Sequence, residues 1–140
     1  MPYNHIALIG LGLISASIAL SIRRKDKNTK ITGTSRSLET RKKADELGIC
    51  EVRDNPVEAV KGADLIILCV PVGAMASVVQ EFAATLKPGV TVTDVGSVKA
   101  AVIAKIIPIL PTGIDFIPGH PLAGTENSGP ESGFATLFDN

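Results

Sequence analysis

The sequence predicts a doubly wound α/β domain built on a mostly parallel sheet. Short runs rich in β-branched residues alternate with longer helical stretches, and Gly or Pro residues separate them. The runs at residues 5–9 and 64–70 are continuously apolar after their first residue, which is typical of parallel strands that helices cover on both faces. At 140 residues with 45% hydrophobic content, the chain fits one domain with a core of its own.

Each strand is predicted where a short apolar run meets a turn-forming residue. The run at residues 64–70 (DLIILCV) is fully apolar after its first residue and stops at Pro71, and the last run delivers the chain to Gly119. Pro lacks a backbone N–H, so it ends a central strand. The predicted strands are residues 5–9, 30–34, 64–70, 90–94 and 114–117.

Helices are predicted between the strands, two of them from their capping residues. Ser37 is the expected N-cap of a charged helix that closes at Gly48. Asn55 and Pro56 begin a short helix, with the cap and first-turn proline in the expected order, that ends at Gly62. The remaining predicted helices are residues 11–24, 74–86 and 98–107.

Charge and composition exclude several classes of partner. Fourteen Lys and Arg balance fourteen Asp and Glu, and aromatic residues make up 4% of the chain. No nucleic-acid partner and no membrane partner are therefore expected. The uncharged segment at residues 6–22 is shorter than the roughly 20 apolar residues that a membrane span needs. It predicts a buried strand joined to a buried helix.

The cysteines and histidines indicate a reduced protein without a metal site. Cys50 and Cys69 have neither disulfide-framework nor metal-ligand spacing, so free thiols and a cytoplasmic localisation are expected. His5 and His120 are distant in the sequence and cannot complete a metal cluster with two isolated cysteines.

A glycine turn follows the first predicted strand and opens the first helix, with the sequence Gly10-Leu11-Gly12-Leu13-Ile14-Ser15. The first glycine permits a tight turn, the second lets the backbone approach a pyrophosphate, and the helix N-terminus supplies amides. Ser15 replaces the third glycine of this dinucleotide-binding (Rossmann) fingerprint with a small side chain. Strand, turn and helix occur in the required order, so a dinucleotide site is predicted; a purely structural turn is the alternative.

The end of the second strand favours NADP over NAD. NAD-specific sites place an Asp or Glu on the ribose there, whereas this chain has Ser35, Arg36 and Ser37. Two hydroxyls and a guanidinium can bind a 2′-phosphate. Alternatively, Ser37 only caps the next helix and Arg36 is a solvated surface charge, with NAD as the cofactor.

Val70 and Pro71 follow the strand at residues 64–70, on the same edge as the glycine turn. They are expected to form an apolar wall along the cofactor. A strand stop with a helix start explains the same residues.

One histidine lies in a loop whose composition favours chemistry. His120 belongs to GHPLAGTE at residues 119–126, where Thr125 and Glu126 add a hydroxyl and a carboxylate. Gly and Pro fix the backbone of such a loop, and imidazole titrates near neutral pH. Ligands of doubly wound sheets bind beyond the carboxyl ends of the strands, where this loop emerges. A structural hydrogen bond is the alternative role of His120.

Ser97 lies in the segment DVGSVK at residues 94–99, directly after the strand at residues 90–94. The Gly-Ser turn is expected to place its hydroxyl at the carboxyl edge of the sheet. Ser97 is also a suitable N-cap for the helix predicted from Val98, and that role alone would explain it.

Together these segments resemble the prephenate dehydrogenase family, including its arogenate- and cyclohexadienyl-using members. The resemblance covers essentially the whole chain. DVGSVK and GHPLAGTE in this order are far more specific than the glycine turn. The matching segments are residues 10–14 (GLGLI), 70–73 (VPVG), 94–99 and 119–138.

The resemblance implies an oxidative decarboxylation in tyrosine biosynthesis. Prephenate would give 4-hydroxyphenylpyruvate, and arogenate would give tyrosine. His120 would be the general base for the ring hydroxyl, and Ser97 would hydrogen-bond that hydroxyl or the His120 ring. Thr125 and Glu126 would line the substrate side. The nicotinamide would accept the hydride.

The resemblance also bears on domain organisation. Residues 1–140 are expected to form one dinucleotide-binding domain that includes a catalytic loop at residues 119–138. The family has a further, helical domain that forms a homodimer and supplies basic groups, whereas residues 119–140 contain no Lys or Arg. A truncated or partial chain is therefore expected. Alternatives are a non-catalytic NAD(P)-binding module or remnant and another hydroxy-acid dehydrogenase of the same superfamily.

Overall fold

Six strands form one parallel sheet in the computed structural model, which describes residues 3–96 and 99–119. The sheet order is β3-β2-β1-β4-β5-β6, and every neighbouring pair is parallel. This order confirms the predicted doubly wound, Rossmann-type fold. The strands are β1 (His5–Ile9), β2 (Lys30–Thr34), β3 (Glu51–Val52), β4 (Leu65–Leu68), β5 (Thr91–Asp94) and β6 (Asp115–Ile117).

Five helices connect the strands in the described part of the chain. Single 3₁₀ turns follow the fourth and fifth helices at Ala83–Thr85 and Ile107–Ile109. The helices are α1 (Leu13–Lys25), α2 (Leu38–Glu46), α3 (Pro56–Val60), α4 (Val72–Phe82) and α5 (Lys99–Ile106).

Each face of the sheet has its own hydrophobic core. In β1, Ile6 and Leu8 pack with Ala16 and Ala19 of α1 and Ala44 of α2. The alternate residues Ala7 and Ile9 pack in a second cluster, whose helical members come from α3, α4 and α5. Because successive side chains of a strand point to opposite faces, a continuous apolar run is what a three-layer arrangement requires.

The observed boundaries differ from the predicted ones where backbone geometry intervenes. Helix α1 begins at Leu13 rather than at residue 11, because Gly10 has φ +102° and Gly12 is extended. Strand β4 ends at Leu68, two residues before the predicted end, and Pro71 is the N-cap of α4. The sequence did not predict β3, which has two residues and an exposed Glu51. Such a strand has no apolar run to identify it.

The helices of the described residues can be compared with the length and hydropathy that a membrane span requires. Within residues 3–96 and 99–119, no helix is both long enough and apolar enough to cross a bilayer.

Candidate nucleotide-binding site

A cavity of about 490 Å³ lies at the carboxyl edge of the sheet. The chain crosses between the two halves of the sheet here, since β1 is flanked by β2 and β4. Ligands of doubly wound sheets bind at this switch point. The loops after β1, β2, β3 and β4 all contribute to the lining. Polar or backbone lining comes from Gly10, Gly12, Thr34, Ser35, Arg36, Arg41, Asp54, Asn55 and Glu81, and apolar lining includes Ile9, Leu11, Cys69, Val70 and Pro71.

Gly10 forms the floor of the turn that opens this cavity. Its φ of +102° is strained for any residue with a side chain. A Cβ at this position would lie 2.6 Å from the carbonyl oxygen of Cys69. The Gly10 amide donates to the carbonyl of Thr34 at 2.9 Å. The turn is therefore packed directly between the ends of β2 and β4, and only glycine fits.

Gly12 has the opposite surroundings. It is the extended N-cap of α1, and a Cβ there would meet no atom within 4 Å. The space that its missing side chain leaves is open and adjoins the cavity. Ser15, at the third glycine position of the fingerprint, is fully buried. Its Oγ accepts the Gly12 N–H at 2.8 Å, so the hydroxyl closes the turn with a bond that a glycine could not make.

The start of α1 offers backbone donors at the same place. The first intrahelical bond runs from the Ala16 N–H to the Gly12 carbonyl at 3.0 Å, so the amides of Leu13 and Ile14 precede it. The first turn contains no acidic residue. An anion placed here meets amides and the positive end of the helix dipole. Neither Leu13 nor Ile14 lines the cavity, so their predicted role depends on these backbone amides.

The loop after β2 brings one guanidinium group to the cavity. Arg36 is exposed and Ser35 half-buried, and both line the cavity. Ser37 does not line it; its side chain accepts the Thr40 N–H at 3.2 Å and caps α2. The predicted capping role of Ser37 is thus confirmed.

Arg41 is a cavity residue that the sequence reasoning missed. Its Nη1 donates to the carbonyl of Ser35 at 2.6 Å and to that of Arg36 at 3.3 Å. The side chain therefore fixes the loop that carries Arg36 and adds positive charge beside it. Arg41 lies four residues after the N-cap Ser37, and this helical spacing indicates a side chain directed back toward the loop.

Two acids also line the cavity, Glu81 from α4 and Asp54 from the loop after β3. The end of β2 has none, but Asp54 follows β3 and is exposed at the lining. Because the sequence did not predict β3, it could not place Asp54 at this edge of the sheet.

The part of the lining that follows β4 is an apolar wall. It is formed by Val70 and Pro71 together with Cys69. Cys69 is a free thiol that is partly exposed and packs against the core cluster that contains Ile6 and Leu8. Burial of the thiol and, to a lesser extent, the charge of Asp94 raise the pKa of Cys69 to about 12. The thiol is therefore protonated at neutral pH.

The predicted catalytic residues lie outside the described part of the chain. These are Ser97, His120, Thr125 and Glu126. Their flanking residues are described, and the carboxylate of Asp94 bonds to both flanks: Oδ2 accepts the Gly96 N–H at 2.8 Å, and Oδ1 accepts the Gly119 N–H at 3.1 Å. The residues immediately before Ser97 and His120 thus bind one side chain at the carboxyl end of β5.

Residues 3–96 and 99–119 contain no cluster of three or more His, Cys, Asp or Glu side chains that could hold an ion.

Comparisons with known proteins identify similar sequences and folds. The family model described as the nucleotide-binding domain of prephenate dehydrogenase matches residues 18–140. The cyclohexadienyl dehydrogenase of Zymomonas mobilis is 43% identical over 139 residues, which cover 99% of this chain and 47% of that protein.

Two solved structures have a similar fold. The prephenate dehydrogenase of A. aeolicus, in complex with hydroxyphenyl propionate and NAD+, superposes with a TM-score of 0.87 at 32% identity, over 96% of this chain and 47% of that chain. The arogenate dehydrogenase of Synechocystis gives 0.83 at 32% identity, over 95% and 46%. The chain spans about half the length of these relatives.

Proposed function

The chain belongs to the prephenate dehydrogenase family, and from this premise we propose that it binds NADP or NAD for the oxidative decarboxylation of prephenate or arogenate. The observation that carries the proposal is the glycine turn. Gly10 has no room for a side chain, whereas the space beside Gly12 is open to a cavity that four strand ends line. That combination suits a ligand whose phosphates approach the backbone.

The lining residues fit the parts of a dinucleotide. The open space at Gly12 and the amides of Leu13 and Ile14 would hold the pyrophosphate. Ser35 and Arg36 would face the adenosine ribose. Val70 and Pro71 would form the apolar wall described above. When bound, the cofactor supplies a nicotinamide that accepts a hydride.

This chain's own residues would accept the proton of the substrate's ring hydroxyl. His120, as a neutral imidazole, would take the proton of the substrate's ring hydroxyl while the hydride leaves the same carbon. Ser97 would hydrogen-bond that hydroxyl or the His120 ring, and Thr125 and Glu126 would line the substrate side. The ring carboxylate leaves as carbon dioxide with its bonding electrons retained by the ring, which becomes a phenol. The products are 4-hydroxyphenylpyruvate from prephenate and tyrosine from arogenate.

The test of this assignment is turnover by a His120→Asn variant of the complete enzyme with each substrate. We expect kcat to fall by about 10²–10⁴-fold, the usual contribution of a general base. The matched control is His5→Gln, which alters the other histidine at the far edge of the sheet and should leave kcat unchanged. A kcat for His120→Asn within about tenfold of wild type shows that the base assignment is wrong.

The same assays separate the alternative functions. A non-catalytic module would bind NADP or NAD but turn over neither substrate. Another hydroxy-acid dehydrogenase would oxidise a small hydroxy acid and leave prephenate and arogenate unchanged. The homodimer and the cytoplasmic localisation stay predictions; sedimentation of the complete enzyme and cell fractionation test them.

We further propose that NADP is the preferred cofactor. The support is the pair of guanidinium groups at the cavity, since Arg41 positions the Ser35–Arg36 backbone and adds to the positive charge of Arg36. Asp54 and Glu81 oppose this preference, because carboxylates at the same cavity repel a 2′-phosphate. The two cations favour the phosphate nonetheless, because Arg36 follows the end of β2, where the ribose is expected.

Arg36→Ala tests this preference through the two dissociation constants. A charge-assisted hydrogen bond contributes about 1.5–3 kcal/mol, so Kd for NADP should rise by about tenfold or more while Kd for NAD changes little. Lys42→Ala removes an exposed positive charge of α2 outside the cavity lining and serves as control. An unchanged ratio of the two constants would overturn the NADP assignment.

A further inference from the structure

Asp94 is a buried carboxylate at the end of β5, with 1% of its surface exposed. Each carboxylate oxygen accepts a backbone N–H from a different segment. Oδ2 binds the Gly96 N–H, two residues ahead, and Oδ1 binds the Gly119 N–H, 25 residues away. One side chain therefore joins the loop after β5 to the loop after β6.

Both bonded residues are glycines with little room for a side chain. A Cβ on Gly119 would lie 2.6 Å from the Asp94 carbonyl oxygen and 3.2 Å from Thr93 Oγ1. A Cβ on Gly96 would lie 3.0 Å from Asp94 Oδ2 and 2.9 Å from a methyl group of Val72. Contacts under 3.0 Å require some atom to shift, so the two loops are packed onto the end of β5 rather than passing over it.

A second bond from the same strand fixes the same segment. Thr93 Oγ1 donates to the carbonyl oxygen of Ile117 at 2.5 Å. Together with the Asp94–Gly119 bond, it holds the chain on both sides of residue 118. The backbone is therefore fixed up to the residue that precedes His120.

We propose that Asp94 is a positioning residue for the reaction, one that fixes the backbones of Gly96 and Gly119, the residues that precede Ser97 and His120. The inference rests on the proposed function, because it matters to turnover only if these two side chains act together. Asp94 itself need not touch substrate or cofactor. A carboxylate suits the role because both of its oxygens accept, whereas the amide of Asn offers one acceptor and would turn an N–H toward the other glycine amide.

The chain contains a matched control for this role. Asp64 precedes β4 at the opposite edge of the sheet, and its Oδ2 accepts the backbone N–H groups of Asn4 and His5 at 2.7 and 3.0 Å. It too joins separate segments through two backbone bonds. Because both bonds end on one oxygen, Asp64→Asn weakens them by removing the carboxylate charge, without disturbing the residues that precede Ser97 and His120.

The experiment compares Asp94→Asn with Asp64→Asn in the complete enzyme, with kcat, substrate KM, cofactor Kd and Tm measured for both. Misplaced catalytic groups reduce rates by up to about 10²-fold, so we expect kcat of Asp94→Asn to fall by about 10–100-fold. Its cofactor Kd should stay within about threefold of wild type. Asp64→Asn should lower Tm and keep kcat within about twofold. Equal kcat values for the two variants, or a loss of cofactor affinity that matches the loss of kcat, would overturn the proposal.

A double variant separates this proposal from the proposed function. If Asp94 acts through His120, the His120→Asn variant and the Asp94→Asn/His120→Asn variant should have nearly the same kcat. If the two effects multiply instead, the proposed function stands and the role of Asp94 is wrong. A His120→Asn variant with wild-type kcat overturns the proposed function and this inference with it.

Thr93→Val keeps the proposal testable if Asp94→Asn does not fold. The variant loses the bond to Ile117, retains the buried carboxylate, and should lower kcat by about threefold to tenfold at constant cofactor Kd. In that case a wild-type kcat for Thr93→Val overturns the proposal.

Discussion

The two edges of the sheet use their polar groups in different ways. At the amino edge, His5 Nε2 is 2.9 Å from Thr32 Oγ1, and the Thr32 hydroxyl donates to the carbonyl of Ala59 at 2.6 Å. Asp64 accepts two backbone N–H groups at the same edge. These groups bond to one another, and a cavity of about 750 Å³, whose lining includes Gly62, Asp64 and Val90, also lies at this edge. At the carboxyl edge, the glycine turn and the start of α1 face a cavity of about 490 Å³.

This difference predicts that the amino edge contributes to stability and the carboxyl edge to ligand binding and turnover. Buried polar groups that bond within the protein fix its segments, so changes at the amino edge should alter stability alone. Donors and open space at the carboxyl edge suit a ligand, so changes there should alter binding or turnover. The glycines mark the contrast, because Gly10, Gly96 and Gly119 all permit close backbone contacts at the carboxyl edge.

The largest effect is expected for Gly10→Ala. An alanine at φ +102° is strained, and its Cβ would collide with the Cys69 carbonyl at 2.6 Å. We expect a loss of about 2–4 kcal/mol in the free energy of unfolding, together with loss of cofactor binding. Chemical denaturation measures the first quantity and fluorescence titration with NADP the second. A variant with wild-type stability would show that the turn can move away from β4.

Gly12→Ala and Gly119→Ala form the next pair, with opposite expectations. At Gly12 the methyl group enters open space beside the cavity, so cofactor Kd should rise by about tenfold, while kcat at saturating cofactor and stability change little. At Gly119 the methyl group would lie 2.6 Å from the Asp94 carbonyl oxygen, so kcat should fall by about tenfold at unchanged Kd.

Steady-state kinetics at saturating cofactor and equilibrium titrations together distinguish the two variants. If both variants change kcat and Kd by the same factor, the glycine turn and the loop that contains Gly119 do not have separate roles at the carboxyl edge. The division proposed for this edge would then be wrong.

The sequence could predict the glycine turn and the Ser37 cap because each depends on residues that are close together in the chain. The glycine turn occupies six consecutive residues, and the cap formed by Ser37 depends on an amide three residues away. Arg41 and Asp54 were missed for different reasons. Arg41 could be placed at the cavity only from the orientation of α2. Asp54 could be placed there only from β3, whose two residues carry no apolar pattern.

The residues that precede Ser97 and His120 are joined by contacts between distant segments of the chain. The bond from Gly119 to Asp94 spans 25 residues, and nothing in the spacing of DVGSVK and GHPLAGTE predicts that one carboxylate joins them. The motifs themselves identify Ser97 and His120 as candidates, and these assignments stay predictions. Packing of two loops onto one strand end is a property of the fold rather than of either motif.

The smallest effect is expected at the amino edge, in the pH dependence of stability. Burial is the main cause that lowers the pKa of His5 below its ordinary value of 6.5, with a smaller contribution from the charge of Lys30. The Thr32 hydroxyl donates its single proton to Ala59, so it accepts from His5, and the neutral ring carries its proton on Nε2.

The sign of the pH effect follows from which state binds the proton. Below about pH 6.5 the unfolded chain protonates His5 while the folded chain resists, so the unfolded state binds more protons and stability falls with falling pH. The contribution of neutral His5 is complete above pH 6.5 and is lost as the pH falls through the lowered value. His5→Gln should therefore make the free energy of unfolding less dependent on pH between about pH 7 and pH 5.

The same variant tests the comparison between the edges. Loss of the bond to Thr32 should cost about 1 kcal/mol at pH 7.5, yet cofactor Kd should stay within about twofold of wild type, because neither His5 nor Thr32 lines the cavity. Urea denaturation across the pH range, with NADP titrations at pH 7.5, measures both. An altered Kd would mean that the amino edge controls the shape of the cavity through the strands, and stability and binding could no longer be assigned to separate edges.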